Sequence, residues 1–111
     1  MANTRKKERD FQAALIKEIE SMFDGAIVMK LDANYIQGIP DLLILYKKKW
    51  ATLECKAFAK AHKQNNQDYY VGLMNKMSFS RMICPENKEE VLRDLQQSFR
   101  SCRKALSTKS K

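Results

Sequence analysis

The sequence predicts an α/β (α+β) domain, a mixed β-sheet flanked by helices in the order α-β-β-β-α-β-α. Three observations predict it. Two long stretches, residues 4–23 and 87–103, place apolar side chains at helical spacing. Four short apolar runs, residues 26–31, 40–46, 50–56 and 79–84, are separated by turn formers or charge. A chain of 111 residues, 44% hydrophobic with 3 Gly and 2 Pro, has material for a single modest core.

Along the first helix, Phe11, Leu15, Ile19 and Met22 form one apolar stripe. Thr4 is the expected cap, and Gly25 the stop signal. The short segment 26–31 reads as a strand, and Asp32 to Gly38 (DANYIQG) as a loop. Pro40 opens the next strand, a position where proline is tolerated. Leu42, Leu43, Ile44 and Leu45 are a continuous apolar run, typical of a strand buried on both faces. The triple lysine 47–49 turns the chain, and residues 50–56 return as the partner strand. Residues 57–66 read as a loop, and Asn66 as the cap of a helix ending near Lys76. Met74, Met77 and Met82 are expected as core filling. After the strand 79–84, stopped by Pro85, the last helix carries Val91, Leu92, Leu95 and Phe99 on one face. A basic, flexible tail is expected from about residue 104.

Composition limits the function classes. No window approaches 18 continuous apolar residues, so no membrane-spanning helix is expected. The basic start MANTRKKERD lacks the apolar run of a secretory signal. Cys55, Cys84 and Cys102 are widely spaced and odd in number, and His62 is the sole histidine. A disulfide framework and a zinc site are thereby disfavoured, and a reducing, cytoplasmic setting is expected. The net charge is +8, concentrated in TRKKER (Arg5, Lys6, Lys7) and in the C-terminal RSCRKALSTKSK. Such ends either aid solubility or bind a phosphate backbone, and nucleic acid is the favoured partner.

The hairpin "GIPDLLILYKKKWATLECKA" carries the chemistry. Glu54 and Lys56 share one face of their strand, whereas Cys55 points to the other. With the turn centred on Lys47 and Lys48, Asp41 falls directly across from Glu54, about 4.5–5.5 Å away at Cβ. Two carboxylates so close repel unless a cation lies between them or one takes a proton. Spacing alone is equally compatible with a solvated face bearing an ion pair. Charges at the tip of a buried, central strand favour a functional role. A hard divalent ion suits two carboxylates, and Lys56 beside it can orient a water or offset phosphate charge.

Pro40-Asp41 followed, after twelve intervening residues, by Glu54-Cys55-Lys56 resembles the PD-(D/E)xK motif of the restriction-endonuclease-like nucleases. The context GIPDLLIL…LECKA is similar to the virus-type replication-repair nuclease (VRR-NUC) branch and to archaeal-type Holliday-junction resolvases. Glu8-Arg9-Asp10-Phe11-Gln12 matches the branch's E-x-x-x-Q, and Gln67 matches the glutamine that opens the following helix. Cys55 stands where the family more often has Val or Ile. The resemblance covers roughly residues 7–81. It implies a Mg2+ or Mn2+ ion held by Asp41, Glu54, the backbone carbonyl of Cys55 and Glu8, with Lys56 and Gln67 completing the catalytic set. Glu18 and Glu20 lie on the same helix as Glu8 and remain candidates for its role. Lys60 and Lys63, with Arg5, Lys6 and Lys7, are expected to meet the nucleic-acid backbone. Tyr69 and Tyr70 either stack on an unpaired base or pack against the protein. The implied activity is cleavage of structured or branched DNA by a small nuclease of the kind that bacteriophages carry, with a homodimer as the expected form on a branched substrate; the rival expectation is a nuclease-like fold that binds without cutting.

Overall fold

The computed structural model describes residues 2–61 and 67–109, with side chains at 4–61 and 67–100. Helix α1 spans Ala2–Met22, followed by strands β1 (Ile27–Lys30), β2 (Leu42–Tyr46) and β3 (Lys49–Cys55). Helix α2 (Gln67–Met77), strand β4 (Phe79–Ile83) and helix α3 (Lys88–Lys109) complete the chain. The order α-β-β-β-α-β-α is as the sequence predicts. Among the described residues no helix is long and apolar enough to cross a membrane.

The four strands form one sheet in the order β1-β2-β3-β4. β1, β2 and β3 are mutually antiparallel, while β4 joins β3 in parallel. A parallel pair needs a long crossover, and α2 lies within it. The hairpin register runs from Leu42↔Leu53 to Tyr46↔Lys49, the pairing expected from a turn at Lys47 and Lys48. Lys47 takes a positive φ of 56° there, a conformation uncommon outside glycine.

Alternation along the strands divides the side chains between two faces. On one face, Leu42, Ile44, Ala51, Leu53, Cys55, Phe79 and Ile83 meet Leu15, Ile19 and Phe23 of α1 and Val91, Leu92, Leu95 and Phe99 of α3. Phe23, Tyr46 and Phe99 close one end of that core with ring centroids 5.1–5.5 Å apart. On the other face α2 covers β3 and β4. There Thr52 donates to Ser80 Oγ at 2.7 Å and reaches Met74 Sδ at 3.5 Å.

Four expectations are corrected. Thr4 does not cap α1, because the helix already begins at Ala2. The apolar run of β2 is sealed on one face alone: Leu42 and Ile44 are fully buried, whereas Leu43 and Leu45 are half-buried. α2 does not extend over β1 and β2, so their α2-side face also leaves Ile27 and Met29 exposed. Met77 is exposed at the end of α2 rather than filling the core. Finally, α3 continues to Lys109, through the segment expected as a tail. Asn66, the expected cap of α2, lies outside the described residues. Gly25 does end α1, with φ +87°.

Leu95 is completely buried between α3 and the sheet, so Leu95→Ala should lower the free energy of unfolding by about 3 kcal/mol. Met77→Ala, at an exposed site, should change it by less than about 0.5 kcal/mol. Urea denaturation followed by circular dichroism measures both.

Candidate active site

Asp41 immediately precedes β2, and its carbonyl accepts from Leu31 N–H at 2.8 Å, which fixes the strand entry. Its side chain turns across the hairpin, where Oδ2 accepts from the backbone N–H of Cys55 at 2.8 Å. Glu54 sits on the same sheet face and is only 1% exposed. Lys56 follows β3, held in the ladder by donation from its N–H to Ile83 O at 2.9 Å. Its ammonium lies 3.4 Å from Glu54 Oε2. Gln67, the first residue of α2 and itself buried, donates from Nε2 to the same Oε2.

Glu54 Oε2 thus has two partners. Its other oxygen, Oε1, is buried with no hydrogen-bond partner among the described residues. An unsatisfied buried polar atom is rare in a native fold and calls for a cause. These residues line a cleft of about 500 Å3 that also receives Thr4, Arg5 and Glu8 from α1, Ala33 and Ile39 from the β1–β2 loop, and Phe58.

The carboxyls share an electrostatic environment. Glu54 is raised from 4.5 to about 8, first by burial and then by the charge of Asp41, with Lys56 opposing the rise and Glu8 adding a smaller push upward. Asp41 is also raised, chiefly by burial, against the Cys55 N–H bond and the Lys56 charge. Glu8 is raised by burial, with Lys56 lowering and Asp41 raising it. Cys55 points to the opposite face and is wholly buried, and its thiol is pushed upward, first by burial and then by the Asp41 charge.

The sequence-expected residues separate into those gathered at the cleft and those outside it. Asp41, Glu54, Lys56, Gln67, Glu8 and Arg5 all line it. Glu18 instead pairs with Lys88 of α3 at 2.9 Å, and Glu20 is exposed, so Glu8 is the helical carboxylate at the cleft. Lys6 pairs with Asp10 at 3.5 Å on the outer face of α1, and Lys7 and Lys60 are exposed away from the cleft lining. Lys63 and His62 lie outside the described residues. Tyr69 and Tyr70 pack edge-to-face on α2, centroids 5.0 Å apart. Thr4, Ile39 and Phe58 carry no motif that marks them as lining residues in the sequence.

Among the described residues no three His, Cys, Asp or Glu side chains converge as a ready metal cluster. The donor set fits a smaller demand. A hard divalent ion is commonly held by one or two carboxylates with waters and substrate phosphate, and Glu54, with its unpartnered Oε1, and Asp41 line the same cleft as such a pair. Comparison with family models, curated proteins and solved structures returns no match to this chain.

Because folded Glu54 holds its proton more tightly than the unfolded chain does, the stability it contributes is fully present below about pH 4.5 and is lost as pH rises toward about 8. In EDTA, the urea midpoint of the wild type should therefore fall across that window relative to Glu54→Gln. A wild-type midpoint that rises relative to the variant would contradict the assigned environment of Glu54.

Proposed function

We propose that this chain is a small nuclease that hydrolyses DNA phosphodiester bonds with Mg2+ or Mn2+. The observation that carries the reading is the buried Glu54, which lines the cleft with Asp41, one oxygen held by Lys56 and Gln67 and the other without a hydrogen-bond partner among the described residues. A structural ion pair has no need of that vacant oxygen. The motif resemblance of Pro40-Asp41 and Glu54-Cys55-Lys56 to PD-(D/E)xK nucleases supports the same assignment.

Asp41 and Glu54 would hold the ion, with Glu8 and the Cys55 carbonyl as the further ligands that the resemblance implies. Such an ion neutralises phosphate charge and acidifies a water. The remaining roles belong to the chain itself. Gln67 and Lys56 hold Oε2 and so leave Oε1 for coordination. Lys56 orients the attacking water and offsets charge gathering on the phosphate. Arg5, on the opposite wall, receives a phosphate oxygen of the bound strand. The net charge of +8 draws DNA toward the surface in a salt-dependent manner. We assign selection to the shape of the DNA, a flap or junction, and a homodimer would offer two cutting sites to such a substrate.

Among labelled linear, single-stranded, flapped and four-way-junction DNAs, the flapped and junction substrates should be cut fastest with Mg2+ or Mn2+, and all should be left intact in EDTA. Asp41→Asn and Lys56→Ala should each lower the cleavage rate at least about 100-fold while keeping the wild-type circular dichroism spectrum. Metal-independent binding without cutting would replace the nuclease by a binding module.

Mg2+ should also raise the thermal midpoint of the wild type, because a ligand of the native state stabilises it. Glu54→Gln should lose most of that shift. Equal shifts in both proteins would remove Glu54 from the ligand set.

A further inference from the structure

Among the described residues that line the cleft, one is aromatic, and neither the ion nor the proton chemistry employs it. Phe58 is 40% exposed, yet its backbone is firmly placed. Ala57 before it and Ala61 after it are both buried, and Ala61 N–H donates to Phe58 O at 3.0 Å, closing a turn. The two alanines anchor the loop, and the ring is presented to the cleft beside Lys56.

Across the cleft, the β1–β2 loop is also fixed. Asp32 Oδ1 accepts from Asn34 N–H at 2.8 Å, and Asp32 O accepts from Tyr35 N–H at 3.0 Å. This loop contributes Ala33 and Ile39 to the lining and carries Tyr35, 85% exposed. Apolar surface is thus paired with Arg5 and Lys56, the cations that line the cleft among the described residues. A nucleotide presents the complementary combination, an anionic phosphate and a flat base. A base inside a duplex has both faces occupied by stacked neighbours, whereas an unpaired base has a free face for an aromatic ring.

We propose that Phe58 stacks on an unpaired base next to the phosphate seated by Arg5 and Lys56, so that the cleft selects DNA with unpaired nucleotides. The inference rests on the nuclease reading only for the purpose of the stack. The stack itself is a binding contact and can be measured without cleavage.

The test uses the full chain and an oligonucleotide containing 2-aminopurine, offered as a single strand and as a blunt duplex, with binding followed in EDTA by anisotropy and 2-aminopurine emission. The wild type should bind the single strand in preference and quench its emission. Phe58→Ala should weaken single-strand binding about tenfold, abolish the quenching and narrow the preference over duplex. Phe58→Trp, which restores a ring, should restore all three, and matching thermal midpoints establish that the variants are folded. Equal losses on both DNAs, unaltered quenching in Phe58→Ala, or no binding of single strand by the wild type would each overturn the proposal. Cleavage of the same DNAs in Mg2+ separates the two readings. Quenching without cleavage retains the stack and rejects the nuclease, whereas cleavage unaffected by Phe58→Ala retains the nuclease and rejects the stack.

Discussion

The register of the β2–β3 hairpin is the constraint on which both core and site depend. Leu42 opposite Leu53 and Ile44 opposite Ala51 direct four fully buried side chains toward α1 and α3. A slip of one residue would turn β3 over and bring Thr52 and Glu54 into that apolar layer. Desolvating a carboxylate without a partner costs several kcal/mol, so the slipped pairing is strongly disfavoured. The same alignment brings the side chain of Asp41 to the Cys55 N–H and sets it beside Glu54. Packing on one face therefore fixes the chemistry on the other.

Glu54 is stable in this position because its cost is divided unevenly between its two oxygens. Oε2 has an ammonium and an amide, while Oε1 has neither. With Asp41 nearby, protonation relieves both the burial and the repulsion, which is why the carboxyl is raised to about 8. A divalent ion would relieve the same two terms without a proton. Strongly perturbed groups in a cleft are functional candidates for this reason, and the vacant oxygen distinguishes Glu54 from a merely structural ion pair. Arg81 and Asp94, at 3.0 Å and partly exposed, provide the contrast within this fold: their pairing leaves no comparable demand.

The strands and their order were legible because period-two alternation, Pro and Gly positions and the lysine turn are local signals. The hairpin register followed from the turn alone. Coverage of a strand is different, since it depends on where a remote helix stops. The run Leu42 to Leu45 reads as doubly buried, but α2 ends its coverage at β3, and nothing in the run itself records that. The carboxylate of α1 was ambiguous for a similar reason. Glu8 and Glu18 both border the apolar stripe, and the choice is made by Lys88, seventy positions from Glu18 in sequence. Phe58 was invisible because the run Ala57 to Ala61 has no period; only the folded turn shows which side chains face inward.

On the nuclease reading proposed above, the distribution of charge would couple ion and substrate. Among the described residues, Glu8, Asp41 and Glu54 line the cleft with two cations, Arg5 and Lys56, and Lys56 is engaged by Glu54. The basic exterior can concentrate DNA near the protein, but the carboxylates resist entry of a phosphate. Protonation would reduce that resistance while disabling Glu54 as a ligand. A divalent ion between the carboxylates would reduce it and keep the ligand intact. On this reading ion and phosphate each strengthen the binding of the other, and the coupling is reciprocal by thermodynamic necessity. On the nuclease reading, the carboxylates of the cleft would make it hold a phosphate more tightly with the ion than without it, while leaving weaker, ion-independent binding through Arg5 and Lys56.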